Sequence, residues 1–165
     1  MKNRRKRNTR NKRILIWQYI IGIGVLLTVF AFSLLNLFNL SMDPYQSARS
    51  NSIELARKYA GIKQVDSFAI FNGKKTYYSL LGENSQDKKR AVLIEKDSDK
   101  IFVYELSDGA SQKKAEDIAK KNGATSIDKI TFGQLDGQPI WEVKSGKIYY
   151  IVDFESKKLL SKEGL

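Results

Sequence analysis

From Ile14 to Met42 no residue carries a charge, and Ile14 to Leu35 is almost wholly apolar, with Gln18 near its start and Asn36 and Asn39 beyond its end. As a helix rising ~1.5 Å per residue, the apolar run reaches about 33 Å, enough to cross the hydrocarbon core of a bilayer. Trp17 and Tyr19 sit where an interfacial aromatic belt belongs. Lys2, Arg4, Arg5, Lys6, Arg7, Arg10, Lys12 and Arg13 abut one end with no acid among them, while the other end has Asp43 and no base until Arg49. The positive-inside rule then places the N-terminus in the cytoplasm and the rest of the chain outside the cell. A cleaved signal peptide, with Ala31-Phe32-Ser33 as the cut site, fits less well. The preceding run is longer than a usual signal core, and Leu34, Leu35, Leu37 and Phe38 continue it. The basic tail is read as a topology signal that also meets anionic lipid, with a docking site for a cytoplasmic partner as the sharper alternative.

The formal net charge of +11 comes mostly from that tail, since the remaining 21 bases face 18 acids. A nucleic-acid reader spreads its bases over a folded face, so no nucleic-acid partner is expected. The chain has neither Cys nor His. Disulfides, the usual zinc sites and Ser-His or Cys-His nucleophiles are therefore excluded. Asp97 and Asp99 lack the glycine turn and distal Glu of a calcium loop. Glu116 and Asp117 read as acids early in a helix, and Ser111 in Ser111-Gln112-Lys113-Lys114 reads as a helix cap, not a nucleophile. No catalytic residue, metal ligand or cofactor site is expected, and the chain is not read as an enzyme.

Beyond the hydrophobic run a helix-then-strands pattern repeats with a period of about 64 residues. Asp43-Pro44 suits the start of a first helix, with Asp43 as cap and Gln46 completing a capping box, and Gly61 its stop. Ala48, Ser52, Leu55, Ala56 and Tyr59 form its apolar stripe. A second helix is expected over 111–122, burying Ala115, Ile118 and Ala119 and ending at Gly123. Each helix precedes a hairpin centred on a two-residue turn, Asn72-Gly73 and then Asp136-Gly137. An offset of 64 aligns Phe68 with Phe132, Phe71 with Leu135, and Tyr77 with Trp141. Third strands are expected over 90–95 and 147–153, the latter after a Ser145-Gly146 turn, and short fourth segments over 100–106 and 157–160.

Two-residue turns in the second copy fix a register: Phe132 faces Trp141, Ile130 faces Val143, Val143 faces Ile148, and Trp141 faces Tyr150. That side is a core under the second helix, so Tyr77 and Trp141 read as core residues before they read as a ligand shelf. The other side carries Thr131, Glu142, Lys144 and Lys147 as a solvated face, together with an apolar cluster of Ile140, Tyr149 and Ile151. Such a cluster needs a partner. Either it packs on the first copy, or Ile140, Tyr149 and Ile151 form a docking surface for another protein.

The basic tail, single anchor and two helix-plus-sheet units, with helix ends Ala56-Arg57-Lys58 and Ala119-Lys120-Lys121, resemble the YpmB or TseB-like proteins of Gram-positive bacteria. The resemblance implies an α+β fold: a transmembrane helix followed by two tandem PepSY-like, cystatin-related units, each a helix on a three- to four-stranded antiparallel sheet. The corresponding boundaries are 1–13 for the tail, 14–40 for the anchor, and 43–107 and 108–165 for the two units. It also implies a membrane-anchored regulator of cell-wall growth that binds a penicillin-binding protein or a related peptidoglycan synthase. A restraint on an extracellular peptidase is the alternative that PepSY-like modules suggest. The family pattern has no active site to carry over.

Overall fold

The computed structural model describes the backbone over residues 2–98 and 100–164, and side chains over 16–37, 44–98 and 100–164. The chain divides into two compact units, one up to Gln46 and one from Ser47 onward. The first is helical from Lys2 onward and contains Ile16–Leu37, 22 residues with a mean hydropathy of 2.4, long and apolar enough to cross a membrane. Two of its polar side chains turn back on the backbone, as an apolar solvent requires: the Thr28 hydroxyl donates to the Val25 carbonyl (2.8 Å) and the Asn36 amide to that of Phe32 (2.8 Å).

The helix α1 runs without a break over Lys2–Ala60. The start expected at Asp43-Pro44 is therefore not a helix start, because Pro44 lies inside. A proline removes one backbone hydrogen bond and crowds the preceding turn, but Asp-Pro reads identically at an N-terminus and within a tolerated interior. The helix does stop before Gly61. Its buried stripe is Ser52, Ala56 and Ala60, while Tyr59, expected in the core, is 60% exposed.

In the second unit, strands β1 (Ile62–Asn72), β2 (Thr76–Asn84), β3 (Lys89–Glu95) and β4 (Ile101–Glu105) form one antiparallel sheet in chain order. Helix α2 (Gln112–Lys121) follows, then β5 (Lys129–Leu135), β6 (Gln138–Ser145), β7 (Ile148–Asp153) and β8 (Leu159–Gly164) form a second. Ser111 caps α2 as expected, its hydroxyl accepting from the Lys114 amide at 3.1 Å. The end of α1 lies on the face of the first sheet that carries Leu80, Val92 and Ile94. Helix α2 packs its Ala115 and Ala119 into the core built on Phe132, Trp141, Val143 and Tyr150.

Turn chemistry explains which registers follow expectation. Asp136 and Gly137 both have positive φ (50° and 87°), as a type I′ turn demands, and Phe132 pairs with Trp141 and Ile130 with Val143. In the next hairpin Gly146 is the first loop residue, at φ 60°, with Ser145 paired to Ile148. The turn is thus Gly146-Lys147, and the pairs become Val143 with Tyr150 and Trp141 with Val152. Because the slip is two residues, every side chain keeps its expected face.

The first hairpin differs more. Its loop is Gly73-Lys74-Lys75, with Asn72 paired to Thr76 and Phe71 to Tyr77. The one extra loop residue flips parity: Phe68 meets Leu80 on the helix-covered side, whereas Tyr77 faces the second sheet. Tyr77 and Trp141 are both core residues, but Trp141 packs under its own unit's helix and Tyr77 does not.

The two sheets share that core. On β5, the consecutive residues Phe132, Gly133 and Gln134 all meet the first sheet. The Phe132 ring lies 5.5 Å from that of Tyr104, a side chain at Gly133 would strike the Phe71 ring, and Gln134 accepts from the Tyr77 hydroxyl (2.9 Å) while donating to that of Tyr104 (3.0 Å). Successive residues point to opposite sides of a strand, so the first sheet receives β5 along its edge. An edge strand that would otherwise offer unpaired backbone to other chains is thereby covered. Burial pushes the Tyr77 and Tyr104 hydroxyls up from the ordinary phenol range.

Candidate functional site

The face of the second sheet opposite α2 runs from covered to uncovered in three rows. Gly133, Ile140 and Asp153 form the innermost row, beneath Phe71. Thr131, Glu142, Ile151 and Ser161 form the next, and Lys129, Lys144, Tyr149 and Glu163 the outermost. Ile70 and Asn72, from the end of β1, overhang the two outer rows and close a groove of about 430 Å³.

The three residues named for docking are therefore spread along this gradient. Ile140 is completely buried in the shared core, Ile151 is 7% exposed, and Tyr149 is half-buried in the groove wall. The expected solvated face is also partly enclosed: Thr131 is buried and Glu142 half-buried. Sequence reasoning missed Glu142 as a site residue, since an acid on the polar side of an alternating strand normally faces water. The eight basic residues from Lys2 to Arg13 have side chains outside the described residues.

Among the described residues Glu142 makes no hydrogen bond or ion pair. Burial, first, and the carboxylate of Glu163 push its pKa up, against the pull of Lys129 and Lys144. The Lys144 ammonium lies instead over the Tyr149 ring, 5.7 Å from its centroid. Across the strand pair from Glu142, the buried Thr131 hydroxyl also lacks a partner. Unmet groups of this kind cost stability. A carboxyl whose folded pKa exceeds its unfolded value destabilises the fold progressively as pH rises from the unfolded value through the folded one. Glu142→Gln is therefore expected to raise the melting temperature at neutral pH and to lose that advantage in acid, where the wild-type carboxyl is protonated. Thermal melts of both proteins from pH 3 to 8 check this.

A larger groove of about 890 Å³ runs between Leu81, Leu106 and the start of α2. Most of its charged groups are already engaged: Glu105 with Arg90 (2.6 Å), Lys113 with Asp117 (3.1 Å), and Asp108 with Ser107 (2.9 Å). The smaller groove holds Glu142, a half-buried carboxyl without a partner among the described residues, and so has the greater capacity to hold something.

Residues 51–95 match the family model for the cell wall elongation regulator TseB-like domain. The protein named "Probable cell wall elongation regulator TseB" of Bacillus subtilis (strain 168) is 29% identical over 156 residues, covering 90% of this chain and 96% of that protein. The solved structure of the YpmB protein from Bacillus subtilis superposes with a TM-score of 0.62 at 26% identity, over 70% of this chain and 96% of that one. The chain is similar to the TseB/YpmB proteins over most of its length. That likeness agrees with an apolar N-terminal helix and two four-stranded antiparallel sheets. The matched segment 51–95 runs from the last turns of α1 to the end of β3, outside the second sheet whose face forms the groove floor.

Proposed function

We propose that this protein is a membrane-tethered binding module that regulates cell-wall elongation by docking on a penicillin-binding protein or related peptidoglycan synthase. Likeness to a relative named as a cell wall elongation regulator supports the process. The observation that carries the docking is the groove over the second sheet, where Tyr149 and the edge of Ile151 sit with Glu142, a half-buried carboxyl without a partner among the described residues. The eight bases before the apolar run support a cytoplasmic N-terminus, with the sheets outside the cell. Anchoring in the bilayer shared with the synthase raises effective concentration, so a weak interface suffices.

The test is a photo-crosslinker placed at position 149 in intact cells. Capture of a penicillin-binding protein is expected, and Tyr149→Asp should reduce capture by a separate crosslinker at position 163 at least fivefold without lowering the melting temperature. Capture unaffected by the substitution would remove the groove from the interface. Ile151 is a poor probe, since a charge at a buried position would disturb the fold itself.

A further inference from the structure

We propose that the groove over the second sheet receives a basic side chain, Arg or Lys, from an extended segment of the partner, with Glu142 as the residue that pairs it. This rests on the docking reading above and names its chemistry.

The lining has the two halves of such a side chain's complement. Ile151 and the Tyr149 ring offer apolar surface under Ile70, and the Glu142 carboxylate stands on the same face as Ile151 and Tyr149. Arg and Lys lay a methylene stem on apolar surface and carry their charge at the tip. A purely apolar occupant would bury Glu142 further with nothing to pair it. A purely polar one would leave the floor wet.

Glu142 is left without a direct ion pair although lysines are near. Lys129, Lys144, Glu142 and Glu163 all line the groove, yet neither lysine forms an ion pair with Glu142. Lys144 is held over Tyr149, and Glu163 accepts from the Ser161 hydroxyl at 3.0 Å. Burial is the largest influence on Glu142, and the repulsion of Glu163 is met by the pull of Lys129 and Lys144. A cation paired directly with Glu142 offsets its burial, and charge-assisted hydrogen bonds are the stronger kind.

Three blocked tripeptides test the idea on the full-length protein in detergent micelles: acetyl-Leu-Arg-Leu-amide, its Gln analogue and its Glu analogue. Binding is followed by NMR shifts of Ile151 and Tyr149. The Arg peptide should bind at least tenfold tighter than the Gln peptide, and Glu142→Gln should abolish that ratio. That variant is expected to melt no lower than wild type, so the loss would not be unfolding. Equal binding of the three, tighter binding of the Glu peptide to Lys129 and Lys144, or no shifts at millimolar peptide would each overturn the proposal. Arg selectivity without cellular capture of a synthase would leave the groove chemistry standing and displace only the named partner. Capture without Arg selectivity would do the reverse.

Discussion

Trp141→Ala is expected to destabilise both sheets together, by about 3–5 kcal/mol. Trp141 has no exposed surface, and its ring meets Phe132 edge-on at 4.9 Å. Its indole N–H donates to the Ala110 carbonyl at 2.7 Å, just before α2. Truncation leaves a large cavity and also strands that carbonyl in the core. Against a usual total of about 5–15 kcal/mol, the variant would be marginal at growth temperature. The informative readout is where the loss appears. Phe132 and Trp141 share a cluster with Phe71, Tyr77, Ala91 and Leu93 of the first sheet, so amide exchange in β2 and β3 should accelerate along with that in β6 and β7. A first sheet that kept its protection while the second lost it would show two independent units and refute the shared core. Trp141→Phe keeps most of the volume and should cost much less.

What the sequence made legible follows from where local chemistry decides the outcome. Asp136-Gly137 permits a single tight geometry, so the β5–β6 register could be read directly. Gly146 allowed two placements of its turn, but both preserve parity and so the assignment of faces. Asn72-Gly73 offered the same signal as Asp136-Gly137, yet Gly73 joined Lys74 and Lys75 in a three-residue loop, with the Gly73 amide donating to the Lys75 carbonyl at 3.1 Å. That single residue sends Tyr77 to the opposite face from the one that alignment with Trp141 suggested. No local pattern marks how β5 meets the first sheet, because the contact is long-range and involves both faces of one strand. The groove was half legible for the same reason. Period-two patterning found Tyr149 and Ile151, but the overhang of Ile70 and Asn72 that turns a solvated acid into a half-buried one depends on tertiary packing alone.

Glu142 also gives the clearest separation of stability from function. A residue kept only for folding should destabilise when replaced, whereas Glu142→Gln is expected to stabilise at neutral pH and to weaken partner capture. Strain of this kind concentrates at binding sites, where the groups are arranged for a ligand and not for the free protein.

Gly133→Ala is expected to cost about 1–3 kcal/mol despite adding a single methyl group to a strand. In a strand Ala normally outperforms Gly through backbone entropy, so the sign itself is diagnostic. A Cβ at position 133 would lie 2.5 Å from Cγ and Cδ2 of Phe71. That ring is 3% exposed and packed against Tyr77 at 6.5 Å between centroids, so it has little room to yield. If this contact is what seats the first sheet on β5, the cost must depend on Phe71. Phe71→Leu alone opens a small void, but in its presence the added methyl has somewhere to go. The double variant should therefore be less destabilised than the sum of the two single variants, by on the order of 1 kcal/mol, the scale of coupling between side chains in contact. Urea titration of the four proteins measures the cycle. Strict additivity would mean that Gly133 is required for some reason other than the approach of Phe71, and the account of how the two sheets are joined would have to be abandoned.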